Sequence, residues 1–240
     1  NDRAIIVSNT KPGNNMQQAA QKITAMAFWI LALLDIAGIA AAQPTLHAVA
    51  KPLLIPVLLL LLIITSSAVP GKILLIVGLC FSWMGDLFLL FEYRSKLFFI
   101  LGLASFLTTH IFYIIHFVRI RSANISLLKK QPILLALVPA YGITLVWQLY
   151  PHLGDLKLPV MVYAAVICTM LLASLHIFFK VSSKAARYYV AGAAAFVISD
   201  SLLAIDKFYQ PFAYAGVFIM LTYCAAQYCI VKGYTEQDNL

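Results

Sequence analysis

The sequence predicts an all-α polytopic membrane protein, a bundle of about eight transmembrane helices. Three observations predict it. The chain of 240 residues is 62% hydrophobic and 11% charged, with mean hydropathy +0.91, whereas soluble domains carry about 25% charged residues. Its apolar residues are gathered into runs of roughly 20, the length that crosses a bilayer at ~1.5 Å rise per residue. Short polar, proline or glycine stretches separate the runs, among them Gln43-Pro44, Pro70-Gly71 and Glu92-Tyr93-Arg94-Ser95-Lys96. Such links favour antiparallel neighbours in one compact bundle.

In order, the expected spans are 23–42, 52–69, 73–91, 97–118, 132–150, 158–179, 186–205 and 211–231. Residues 23–232 then form a single eight-helix transmembrane domain. Residues 1–22 read as a polar tail, disordered or foreign to the natural protein, and 233–240 as a short C-terminal tail. An even number of spans puts both termini on one side. Twelve of the 17 basic residues fall on that side, which predicts a multi-pass protein of a bacterial inner membrane with both termini cytoplasmic. The formal charge of +8 sits between apolar runs. It therefore points to membrane lipids as partners and not to nucleic acid; the sequence does not indicate an oligomeric state. The four cysteines, Cys80, Cys168, Cys224 and Cys229, lie inside apolar runs without a CxxC pair and read as small buried hydrophobes.

An internal repeat adds to the organisation. Gly78, Asp86, Leu89 and Gly102 recur as Gly192, Asp200, Leu203 and Gly216, each 114 positions on. Spans three and four then correspond to spans seven and eight, and the bundle to two parallel four-helix repeats. Sites in repeat-built membrane proteins often lie between the halves.

The chemistry centres on two carboxylates. Asp86, in Ser82-Trp83-Met84-Gly85-Asp86-Leu87, and Asp200, in Ile198-Ser199-Asp200-Ser201-Leu202-Leu203, each lie inside an apolar run. An aspartate there costs about 2.5–3.5 kcal/mol on insertion scales, so it faces a protein interior and commonly serves function. The plain alternative is a structural aspartate bonded to serine, tyrosine or lysine. Counting from the non-cytoplasmic helix ends puts Asp86 about five residues, or ~8 Å, deep. Asp200 and Tyr163 fall at similar depth, the Lys51 stem can reach inward from the interface, and Asp35 lies on the same level. His110, Tyr113, Tyr223 and Gln227 count as deeper, the lining of a tunnel. A lone histidine in an apolar helix is usually a satisfied core residue, and buried tyrosines are commonly packing aromatics with bonded hydroxyls.

Missing motifs narrow the chemistry. There is no Gly-x-Ser-x-Gly elbow around Ser82 or Ser199, no His-Glu-x-x-His, no Walker loop and no retinal-type lysine in mid-span seven. A carboxylate pair remains, suited to acid–base work with one carboxyl protonated and the other ionised.

Taken in order, several motifs resemble those of one known family. They are Lys51-Pro52-Leu53, Ser82-x-x-Gly85-Asp86-x-x-Leu89, Gly102-x-x-x-Phe106-x-x-x-His110-x-x-Tyr113, Tyr163-Ala164 with Met170, Gly192-Ala193-x-x-Phe196-x-x-Ser199-Asp200-x-x-Leu203-Ala204, and Thr222-Tyr223-x-x-Ala226-Gln227. The chain is similar to the YhhN-like lysoplasmalogenases, small eight-span membrane hydrolases. The resemblance implies an ether hydrolase that cleaves the vinyl ether of a lysophospholipid substrate, giving a fatty aldehyde and glycerophosphocholine or glycerophosphoethanolamine. It points to Asp86 and Asp200 as the catalytic pair, and to Lys51, Ser82, His110, Tyr113, Tyr163, Ser199, Tyr223 and Gln227 as substrate-binding residues. It implies no metal and no cofactor. Two rivals belong to other classes. One is a metal-dependent intramembrane lipid hydrolase ligated by Asp86, His110 and Asp200, against which the missing second histidine counts. The other is a small proton-coupled transporter or receptor whose aspartates carry protons or hold a cation.

Overall fold

Proline and glycine at the run boundaries set where helices begin. Pro44 sits at the start of one, where its missing N–H costs nothing, and Gly71 precedes another with φ +103°. In the computed structural model, which describes residues 12–65, 71–120 and 124–237, the chain folds into α-helices with no strand among the described residues. These are α1 (Pro12–Ala40), α2 (Pro44–Ile64), α3 (Lys72–Leu90), α4 (Lys96–Arg119), the single turn α5 (Leu127–Lys130), α6 (Leu134–Leu149), α7 (Lys157–His176), α8 (Ser183–Ala204) and α9 (Ala215–Thr235). All but α5 are long and apolar enough to cross a membrane, eight spans among the described residues.

Three boundaries differ from the sequence expectation. Residues 12–22, expected in a polar tail, are the first turns of α1: Gln17 donates to the Ile64 carbonyl (2.9 Å) and Gln21 to Thr65 Oγ1 (3.2 Å). Those side chains cap the end of α2, a use that apolar periodicity does not reveal; the rest of the expected tail lies outside the described residues. At the other end, residues 233–237 are packed and not a tail, because Tyr234 is fully buried and Tyr189 donates to Gln237 Oε1 (2.8 Å). Finally, α8 runs on through a π-helical segment, Ile205–Tyr209.

Six helices close a ring in the order α2, α3, α4, α7, α8, α9, with α9 back against α2. Outside it, α1 packs on α2 and α9, and α6 packs on α7. The neighbour pattern is alike in both halves. The pairs α3–α4 and α8–α9 are the most intimate, and α4 meets α7 as α9 meets α2. Lipid tails are as apolar as leucine, so close van der Waals approach and interhelical hydrogen bonds hold such a ring together. Gly78 of α3 lets the Tyr113 ring of α4 approach so closely that a Cβ would lie 2.7 Å from it; its repeat counterpart Gly192 sits 3.0 Å from the Ala226 carbonyl and Ile230 of α9. Thr109 ties the first pair by donating to the Gly78 carbonyl at 3.0 Å.

Helix α2 carries two internal prolines, Pro52 and Pro56. Pro56 has no N–H for the carbonyl of Pro52, four residues back. The Trp83 indole donates to that oxygen at 2.8 Å, satisfying it from α3. Outer faces carry exposed Ile63, Ile143, Val118 and Leu158, a surface suited to lipid. Exposed Tyr93, Trp147, Tyr150, Tyr209 and Tyr214 gather at one end of the bundle, the interfacial level that aromatic side chains favour.

Candidate active site

At that same end the ring encloses a cavity of about 380 Å³, walled by residues of α2, α3, α4, α8 and α9 that include Lys51, Asp86, Ser199, Asp200 and Tyr223. Asp86 and Asp200 both line it. An apolar side pocket of about 50 Å³ adjoins, lined by Phe99, Leu103, Val160, Tyr163 and Phe208. It shares Leu89, Phe106, Asp200 and Leu203 with the main cavity, so Asp200 stands where the polar space meets the apolar one.

Each aspartate is held by one group from the helix before its own and one from the last helix of the other half. Around Asp86, the Tyr223 hydroxyl of α9 donates to Oδ2 at 2.5 Å, and Lys51 Nζ of α2 lies 3.9 Å from Oδ1. Around Asp200, the Tyr163 hydroxyl of α7 donates to Oδ2 at 2.6 Å, and His110 Nε2 of α4 lies 3.2 Å from the same oxygen. The two carboxylates are thus equivalents under the four-span offset, and the two partner sets differ in chemistry: lysine and tyrosine on one, tyrosine and histidine on the other. Such donors stabilise an anion, and hydrogen bonds to a charged group contribute roughly 1.5–3 kcal/mol each.

Behind Tyr223 the polar groups form a chain. Tyr223 is 2.9 Å from Ser82 Oγ; Gln227 Nε2 donates to Ser82 Oγ (2.5 Å) and to the Tyr223 oxygen (3.2 Å); Tyr113 donates to Gln227 Oε1 (3.0 Å). With the Tyr223 hydrogen on Asp86, Ser82 donates to Tyr223, and the donors of Gln227, Ser82 and Tyr223 all point towards the carboxylate. Such chains polarise one another in a low-dielectric interior. Behind Asp200, His110 Nε2 is also 3.0 Å from the Tyr163 hydroxyl, and His110 Nδ1 is a buried atom without a partner. The Phe196 ring sits edge-on to both His110 (5.1 Å) and Tyr223 (6.0 Å) and so separates the two clusters.

The sequence-predicted residues therefore divide by position. Lys51, Ser199 and Tyr223 line the cavity with the aspartates, and Tyr163 lines the side pocket. Ser199 Oγ also donates to the Ile219 carbonyl. Ser82, His110, Tyr113 and Gln227 are fully buried behind the aspartates and line neither space. Depth counting placed His110 and Tyr223 below the aspartates, whereas both touch them. The reason is the π-helical extension of α8. It leaves Asp200 nine residues from the helix end at Tyr209, about 14 Å down, within reach of His110. Asp35 is bonded to His47, its Oδ1 2.7 Å from Nδ1.

Three cavity residues escaped the sequence reading: His47, Glu92 and Asp206. Glu92 and Asp206 sit at helix ends, where charges ordinarily face water. The signal for His47 was its place four residues before Lys51, on the same helical face. Among the described residues no three His, Cys, Asp or Glu side chains group as a metal site.

Comparison with known proteins places this geometry in context. The sequence model of the YhhN family matches residues 46–234. Lysoplasmalogenase TMEM86A of Bos taurus is 32% identical over 171 residues, covering 70% of this chain and 67% of that protein. Lysoplasmalogenase TMEM86B of Homo sapiens is 35% identical over 136 residues, covering 55% and 52%. The lysoplasmalogenase of Mycobacterium tuberculosis (strain CDC 1551 / Oshkosh) is 32% identical over 143 residues, covering 57% and 51%. The chain thus spans from about half to two thirds of the length of these relatives. No solved structure matches it.

Proposed function

The chain belongs to the YhhN family, and on that premise we propose that it is a lysoplasmalogenase, hydrolysing the vinyl ether of a lysoplasmalogen in the membrane. The observation that carries this reading is the pair Asp86 and Asp200 on one cavity, with an apolar pocket opening beside Asp200. A lipid with one long chain needs both kinds of space.

The reaction follows from the carboxylates. One, protonated, delivers its proton to the alkene carbon that does not bear oxygen, and the carbon bearing oxygen becomes part of an oxocarbenium ion. The other, ionised, stabilises that cation across the cavity. Water adds to the cationic carbon and its proton passes to a carboxylate acting as base. The hemiacetal then collapses: its hydroxyl proton leaves, the bond to the glycerol oxygen breaks, and that oxygen is protonated. The products are a fatty aldehyde and a glycerophospho-base. Tyr223 and Lys51 orient Asp86; Tyr163 and His110 orient Asp200; Ser82, Gln227 and Tyr113 brace Tyr223. Ser199 borders the substrate. Every step is proton transfer, so the chain's own residues account for the chemistry.

The basic residues favour both termini in the cytoplasm, which turns the cavity mouth to the opposite face of the membrane. The test of function is aldehyde release by purified protein from a vinyl-ether lysophospholipid, set beside its saturated ether analogue. Aldehyde from the first alone is expected. Release from neither substrate refutes the reading, and chelator-sensitive activity would favour the metal-dependent rival.

A further inference from the structure

Asp35 is a charge the mechanism leaves unused. It is fully buried, its Oδ2 has no partner, and its Oδ1 lies 2.7 Å from His47 Nδ1. Burying a carboxylate with one oxygen unsatisfied is costly, so the arrangement calls for a reason. Local packing builds it deliberately: Gly38, one turn after Asp35, lets the start of α2 approach so that a Cβ would lie 3.0 Å from the His47 backbone nitrogen.

A carboxylate on Nδ1 fixes the ring. Nδ1 carries a hydrogen in either protonation state, and Nε2, on the opposite edge, is the nitrogen left to meet something else. Among the described residues Nε2 has no protein partner, and it is not a buried unsatisfied atom. His47 lines the cavity that holds Asp86 and Asp200, with a quarter of its side chain exposed. Lys51 lies four residues on, one turn deeper on the same face of α2, beside Asp86.

We propose that His47, oriented by Asp35, and Lys51 form an anion subsite that holds the phosphate of the lysolipid headgroup; it rests on the lysoplasmalogenase reading above. The level fits. Lys51 marks the depth of the catalytic carboxylates, and His47 stands about 6 Å nearer the mouth, a separation like that between the cleaved ether oxygen and the phosphate across a glycerol. The sign fits as well. The remaining ionisable groups on the cavity wall are Asp86, Asp200, Glu92, Asp206 and Tyr223, which would repel or ignore an anion. Glu92 is occupied by Lys207 at 3.2 Å and Asp206 accepts from the Phe212 N–H. His47 and Lys51 are the two cationic side chains on the wall.

The experiment compares two substrates on the same protein: an alkenyl-glycerophosphocholine and the matching alkenylglycerol without phosphate. The readout is the ratio of their kcat/KM values, which cancels any partial loss of folded enzyme. His47→Gln is expected to lower this ratio about tenfold or more, as for loss of one charge-assisted hydrogen bond, mainly through KM. Asp35→Asn should lower it less, and His47→Lys should restore it. A second measurement is competitive inhibition by glycerophosphocholine, expected in the parent protein and weakened by His47→Gln. A ratio and an inhibition constant that are unchanged by His47→Gln overturn the subsite while leaving the lysoplasmalogenase reading intact. Inhibition by inorganic phosphate but not by glycerophosphocholine would assign the anion site to free phosphate and overturn the headgroup assignment. A parent protein that releases aldehyde from neither substrate fails at the earlier step and takes the subsite with it.

Discussion

Replacing either aspartate by asparagine separates chemistry from architecture. Asp200 Oδ2 accepts from Tyr163 and His110, and Asp86 Oδ2 accepts from Tyr223. An asparagine keeps the volume and one oxygen, so the donors stay partnered. What is lost is the difference between a bond to an ionised acceptor, about 1.5–3 kcal/mol, and a neutral one, about 0.5–1.5. For the one or two bonds involved, that is roughly 1–3 kcal/mol of stability, a lowered Tm in a protein that still folds. The catalytic loss is larger. Acid or base catalysis contributes about 10²–10⁴-fold, or about 2.7–5.4 kcal/mol of barrier at 1.36 kcal/mol per decade. Aldehyde release by detergent-purified, monodisperse Asp86→Asn and Asp200→Asn should therefore fall at least a hundredfold in kcat, and less in KM. Because the pair acts as one unit, the double variant should be little worse than the more damaged single one. A monodisperse single variant that retained close to full kcat would make that aspartate structural and refute the two-carboxylate mechanism.

Three other outcomes are expected. Trp83→Phe leaves the Pro52 carbonyl of α2 without its donor, so thermal unfolding should shift down by the equivalent of about 1 kcal/mol, whereas an unchanged Tm would mean that water or lipid headgroups serve that carbonyl. Burial alone would raise the Glu236 carboxyl, but hydrogen bonds and charge from Lys232 and Lys184 hold it below the usual range; the stability this contributes is present above the ordinary glutamate value and is lost as pH falls below it, so the Tm difference between the parent and Glu236→Gln should be seen at pH 7 and vanish near pH 3. A cysteine placed at Lys129 should resist a membrane-impermeant maleimide added to intact cells while one at Tyr214 reacts, and the reverse pattern would invert the orientation.

The sequence by itself determined the helices, their number and the two intramembrane carboxylates. Transfer of apolar runs into lipid depends on length and composition alone, and both are written along the chain. It also placed Lys51, Asp86 and Asp200 at one level, because depth follows from counting residues along helices of fixed rise. What only the tertiary structure decided is which groups face one another across the ring. Tyr223 reaches Asp86 over 137 positions and His110 reaches Asp200 over 90, and both contacts require α9 to lie beside α2 and α4 beside α7. Lateral order and rotation about each axis are poorly encoded in these helices. The faces that meet lipid are as apolar as those that meet protein, so no polar stripe marks the inward side. For the same reason the pairing of Asp35 with His47 came into view only with the fold: it depends on the close approach of α1 and α2 at Gly38, a matter of which surfaces pack together, where the bilayer itself offers no preference.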